Sequence, residues 1–176
     1  MKKVGLHAVA IAVLLLALGV GSYAIASTGS NNIRGSDLNG YEENPDISTV
    51  ASGDFDGRID DGAMTIEYEL SYANLEGDVL QAHIHFGKAA VNGGIVAFLC
   101  SNLGNGPAGT PLCPGPFSGT VTGTIDVADV IGPAGQGIEA GAFGEFVAAI
   151  RAGHAYANVH TTKWPGGEIR AQLNAN

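Results

Sequence analysis

"AMTIEYELSY", residues 63–72, alternates without a break: Met64, Ile66, Tyr68, Leu70 and Tyr72 fall on one side, Thr65, Glu67, Glu69 and Ser71 on the other. A period of two over this length specifies an extended strand with one oily face and one wet face. Asp61-Gly62 precedes it, a dipeptide that favours a hairpin turn, and "DFDGRI" (54–59) is the expected partner strand. Further along, "GTVTGTIDV" (119–127) alternates again, with Thr120, Thr122, Thr124 and Asp126 outward. The run "GIVAFLC" (94–100) is apolar on both faces and predicts a buried central strand. Gly and Pro clusters punctuate these runs, so the chain reads as all-β, an antiparallel, Greek-key-like β-sandwich.

One segment departs from that rhythm. In "EAGAFGEFVAAIRAGH" (139–154), Phe143, Phe146, Val147 and Ile150 recur at helical spacing and Gly153 follows as a C-terminal cap. A short helix over 140–152 is expected, near the C-terminus and packed across an edge or open end of the sheets.

The front of the chain sets the compartment. Lys2 and Lys3 precede thirteen apolar residues, Ala8 to Val20, and Ala24-Ile25-Ala26 offers a small-x-small cleavage site. That order predicts a signal peptide over residues 1–26. A spanning helix needs about 20 residues; counting from Val4 to Ala26 gives 23, which keeps an uncleaved anchor as the alternative. Residues 27–36 are a polar lead-in without a period, and the domain is expected over 37–176. The expected location is secreted, extracellular or periplasmic.

Charge excludes one class of partner. Beyond the signal, six Lys+Arg face 17 Asp+Glu, a net charge of −11. Such a surface repels phosphate, so nucleic acid is not a partner. Two cysteines, Cys100 and Cys113, lie in the exported part. An even count in an oxidising compartment predicts a disulfide between them, closing a Gly/Pro-rich loop.

Only five histidines occur, and parity places four of them. In "DVLQAHIHFG" (78–87), Leu80, Ala82, Ile84 and Phe86 share the apolar side, leaving Gln81, His83 and His85 opposite. In "HAYANVHT" (154–161), His154, Tyr156, Asn158 and His160 oppose Ala155, Ala157, Val159 and Thr161. In "GEIRAQL" (167–173), Glu168, Arg170 and Gln172 point away from Ile169, Ala171 and Leu173. Trp164 and Pro165 sit in the turn joining the last two strands. If the first of these strands lies beside the second, facing Cβ atoms come within about 5 Å. His83, His85 and His160 then form a three-imidazole cluster, with His154 or Glu168 as a further ligand. Three His and an open position suit zinc or copper.

Four stretches together resemble the chordin-type (CHRD) domain: "LNGYEENP" (38–45), "AHIHFG" (82–87), "GHAYANVHT" (153–161) and "PGGEIRAQL" (165–173). The likeness runs from Asp37 to Leu173, with Ala171 where the pattern often has Gly. It implies an extracellular β-sandwich without an established catalytic activity, and a structural motif here of Asn158, Thr161, Gly167, Glu168 and Arg170. A secreted, non-enzymatic module contacting an extracellular protein or surface partner is the function this implies. "AHIHFG" is also similar to the copper-binding His-x-His of copper–zinc superoxide dismutase. No histidine lies between His85 and His154, so that enzyme's bridging and zinc-loop ligands have no counterparts.

Two readings of the histidines remain open. One is a metal site. The other is an exposed sheet face whose rings hydrogen-bond to Glu168, Asn158 or Thr161, with His154 favouring a helix C-terminus and Glu168 and Arg170 forming a local ion pair. Elsewhere, "GNGPAG" (104–109) matches G-x-G-x-x-G, but Thr-Pro-Leu-Cys-Pro follows and no helix can open there. "DFDGRIDDG" (54–62) lacks the order of an EF-hand, though Asp54, Asp56, Asp60 and Glu67 could hold calcium weakly.

Overall fold

The computed structural model describes residues 31–176, so the expected signal peptide lies outside the described residues. Eight strands and one helix follow in order: β1 Asn32–Leu38, β2 Ser52–Asp60, β3 Thr65–Ala73, β4 Val79–Phe86, β5 Gly94–Ser101, β6 Gly119–Ile125, α1 Phe143–Arg151, β7 Ala155–Thr161 and β8 Ile169–Ala175. All pairings are antiparallel, in the order β5-β4-β7-β8-β1-β2-β3-β6. The sequence β5-β4-β7-β8 forms one layer and β1-β2-β3-β6 the other, joined where Ile33 and Arg34 pair with Ala175 and Asn174. β3 pairs with β6 while the intervening β4 and β5 pair with each other in the opposite layer, a Greek-key-like path.

The alternating stretch forms as its pattern dictates. Ile66, Tyr68, Leu70 and Tyr72 of β3 are buried, facing a core that includes Phe55, Val121, Leu99 and Ile169. The Tyr68 ring stacks on Phe55, and its hydroxyl crosses the core to donate to Leu99 O at 2.6 Å. β2 and β3 stay in register from Ser52↔Ala73 to Asp60↔Thr65. The turn between them is longer than the dipeptide suggests. Asp60 Oδ1 accepts from the amides of Gly62 and Ala63, both at 2.9 Å, which tightens residues 61–64. Met64 therefore belongs to the turn, at φ 53°, and is 51% exposed instead of sharing the inner face.

Two further expectations change. Part of the polar lead-in is structure: Asn32–Leu38 is β1, with Ile33 and Leu38 buried, and it pairs with β2. β5 is buried as expected but lies at the end of the strand order. Its outer edge is covered by chain: Ser101 N donates to Pro111 O and Ile131 N to Val96 O, both at 2.9 Å. The Cys100–Cys113 disulfide anchors that covering loop, and Asn102 bonds both the amide and the carbonyl of Cys113.

α1 buries Phe143, Phe146, Val147 and Ile150, the four residues that predicted it, together with Ala149. Gly153 at φ 70° ends it, and Gly153 N and His154 N bond Ile150 O and Ala149 O. Arg151 in its last turn donates to both carboxylate oxygens of Asp61, at 3.0 and 2.7 Å, tying α1 to the β2–β3 turn. Among the described residues, no helix is long and apolar enough to cross a membrane.

Candidate metal centre

From Ala82 onward parity places the side chains of β4, β7 and β8 as the sequence requires: Ala82, Ile84, Ala155, Ala157, Val159, Ile169 and Leu173 enter the core, whereas at the start of β4 a register shift between Val79 and Gln81 puts Val79 in the core in place of the expected Leu80. The opposite face, expected to be wet, is covered. His83 is 1% exposed, His85 8% and His160 7%, and every residue of β7 is buried.

Two distant segments supply the cover. One runs from Asn39 through a 3-10 turn, Gly40–Glu42, to Asn44; the other is the loop 87–93 between β4 and β5. Asn39 and Arg170 exchange backbone hydrogen bonds at 3.2 and 3.1 Å, docking the first segment on the end of β8. Arg170 Nη2 donates to Lys88 O (3.1 Å) and Val91 O (3.0 Å), docking the second. The segments also hold each other: Asn44 Nδ2 donates to Ala90 O and Asn92 Nδ2 to Asn44 O.

His85 lies against the second segment at Gly93, while the edge of Phe98 meets His83 and the Pro165 carbonyl meets His160; between these the imidazoles meet. β4 and β7 pair with His83 opposite Asn158 and His85 opposite Tyr156, while His160 faces Gln81. His83 and His160 are thus diagonal neighbours, a spacing that aromatic rings can bridge. His83 Nδ1 lies 3.1 Å from His160 Nε2. One ligand atom from each of His83, His85 and His160 falls within 4.8 Å of the others.

Hydrogen bonding fixes the protons. Carbonyl oxygens only accept, so His85 Nδ1 donates to Gly93 O (3.0 Å) and His160 Nδ1 to Pro165 O (3.0 Å). His160 Nε2 then carries a lone pair, and His83 Nδ1 donates to it. That leaves Nε2 of His83 and of His85 buried without a hydrogen-bond partner. Two unsatisfied lone pairs in one enclosed site are costly for a purely structural cluster. They fit a cation, and carbonyl acceptors behind two of the rings are the outer support that ligating histidines use.

The electrostatics agree. Burial, then the charges of His160 and His85, pushes His83 down to about 2. Burial pushes His85 down to about 4 against the opposing pull of Gly93 O, and burial also lowers His160. Three neutral rings are the ligating form.

The other expected residues have different tasks. His154 is outside the cluster, beside Phe86, Gln136 and Ala149 in a hollow next to α1. Glu168 is fully buried but accepts from Thr161 Oγ1 (2.7 Å), Thr49 Oγ1 (2.8 Å) and Glu76 N (2.8 Å), so it fastens the loops before β2 and β4 to the β7–β8 hairpin. It makes no ion pair with Arg170. The guanidinium instead sits 3.3 Å over the Tyr156 ring, and Tyr156 stacks parallel on His85, centroids 4.8 Å apart. Asn158 donates to Glu43, not to a histidine. Burial raises Glu43 to about 7, with Arg170 and Asn158 pulling the other way. Gly167 holds φ 133°, and a Cβ there would lie 2.6 Å from both Asn158 Nδ2 and Glu43 Oε1.

Sequence reasoning missed Glu43, Tyr156, Gly93 and Pro165 as parts of the site. Their signal was present: all but Gly93 lie in the stretches that carry the family likeness.

The comparisons with known proteins agree with that likeness. No curated protein and no solved structure matches the chain. A family model, the CHRD domain, matches residues 35–173, most of the chain. With its disulfide, the chain is compatible with an extracellular or periplasmic location. The chain belongs to the CHRD family, a domain that at family level is non-enzymatic and of extracellular type.

Proposed function

We propose that this chain is an exported metal-binding protein that captures or delivers one zinc or copper ion through His83, His85 and His160, without turnover. The observation that carries the reading is the convergence of three buried neutral imidazoles, two with Nε2 lone pairs that meet no donor. Export rests on the charged and apolar order of residues 1–26, on the disulfide and on the family. Imidazole suits both metals, and a closed three-His set favours retention over exchange with large substrates.

Elemental analysis and calorimetry on the purified exported protein test this. One ion per chain is expected. The His85→Ala/His160→Ala variant loses it, and His154→Ala, outside the cluster, keeps it. Unchanged uptake by the double variant, with its fold confirmed by circular dichroism, removes the proposal.

A further inference from the structure

We infer that Tyr156 and Arg170 are positioning residues of the metal centre: stacked in a column on His85, they hold that ring in one plane and so set how tightly the ion is bound. The inference rests on the metal-binding reading and names what orients one of its ligands.

A histidine ring turns easily about its last side-chain torsion, whose energy wells are broad, so the rotamer alone does not fix where Nε2 lies. His85 makes one hydrogen bond, from Nδ1 to Gly93 O at 3.0 Å, and its Nε2 meets no partner. A single bond still lets the ring rock about the line of that bond. A flat neighbour stops the rocking. Tyr156 lies parallel to His85, with 4° between the planes and 4.8 Å between centroids, within the range of offset stacking. The ring contacts of His83 and His160 are edge-on or tilted. Among the described residues, His85 is therefore the ligand whose plane depends on stacking.

The column is anchored at every level. His85 on β4 is opposite Tyr156 on β7, and Arg170 on β8 is opposite Asn158, diagonal to Tyr156. Because β4 and β8 flank β7, His85 and Arg170 approach the Tyr156 ring from opposite sides. The guanidinium lies 3.3 Å from the ring centroid and is itself held by Lys88 O and Val91 O. The Tyr156 hydroxyl accepts from Gly93 N at 3.1 Å, so the residue that bonds His85 also holds the far end of the phenol. A Cβ on residue 93 would lie 1.7 Å from Phe86 O, so only glycine brings this backbone close enough to serve both rings.

Zinc and cupric titrations of the exported wild type choose the probe ion, the one held more tightly. Competition against a chromophoric chelator then ranks the variants. Tyr156→Leu removes the flat face and should weaken binding about 10- to 100-fold, with circular dichroism unchanged. Tyr156→Phe gives up the Gly93 bond but keeps the stack, so it should lose stability in urea while holding the ion like the wild type. That split separates positioning from general support. Where Tyr156→Leu does not fold, Arg170→Lys, which keeps the charge and removes the planar fork, is read in its place, with an expected loss of about tenfold. Wild-type affinity in whichever of these two is read overturns the inference and leaves the metal-binding proposal standing. An equal loss in Tyr156→Phe and Tyr156→Leu does the same. Failure of the wild type to hold either ion overturns both.

Discussion

The outer faces of β3 and β7 obey the same alternation and end in opposite environments. On β3, Glu67 and Glu69 face Arg58 and Asp56 of β2, in solvent. On β7, Tyr156, Asn158 and His160 occupy the equivalent parity and are buried. Alternation divides a strand into two sides, and chain from elsewhere decides whether the second side stays wet. Over β7 that chain is residues 39–44 and 87–93, held by Arg170, Asn44 and Asn92. The lesson is energetic as well as geometric. A polar group on the open face has water as its fallback partner, whereas one under the cover must find its partner inside the protein.

The sharpest way to break the contrast is to remove the cover's anchor. Arg170→Ala strands Lys88 O, Val91 O and the Glu43 carboxyl, and should cost about 3–5 kcal/mol in urea denaturation. The equivalent deletion on the open face, Arg58→Ala, should stay within about 0.5 kcal/mol. Comparable losses from the two would abolish the distinction.

Loss of the Cys100–Cys113 bond is the next largest effect. It joins residues 13 positions apart, so Cys100→Ala/Cys113→Ala should lose about 3 kcal/mol by the same assay. Retained stability would mean that the loop along β5 holds without its staple.

Glu43 gives the covered face a pH signature. Its folded pKa, about 7, lies above its ordinary value of 4.5, so between these values the folded state binds more proton than the unfolded state. The stability it contributes is complete below about pH 4.5 and is lost as pH rises through 7. Glu43→Gln mimics the protonated form. The variant should match the wild type near pH 4.5 and exceed it at pH 8 by an amount on the order of 3 kcal/mol. Melting curves of the metal-free proteins across this range check the sign, and parallel curves would refute it.

Gly167→Ala is the smallest of the covered-face perturbations. Its left-handed backbone and the crowding against Asn158 and Glu43 should cost about 1–3 kcal/mol, with a matching fall in melting temperature.

Much of this was legible in residue order. Parity put Ile66, Leu70, Ile84 and Val159 in the core and gathered His83, His85 and His160 on one face. Helical spacing found α1 to within three residues at its start. Cysteine count found the disulfide. What escaped depends on partners far along the chain. Glu43 reaches Asn158 across 115 positions, and Arg170 reaches Val91 across 79, so no local window contains the cover. β1 escaped because "NIRGSDL" mixes Arg, Gly and Asp with only two buried side chains, too few for a pattern. Met64 was misplaced because the Asp60 carboxylate extends the turn beyond Asp61-Gly62.

The way β5 is finished bears on life outside a cell. A terminal strand with bare amides invites a second molecule to extend the sheet, and from there fibres can grow. Here the backbone of Pro111 and Ile131 occupies those positions first, and one covalent link fastens the first of these segments. An oxidising environment therefore keeps that rim occupied by the molecule's own chain, whereas a reducing one would loosen the loop and expose a surface for self-association.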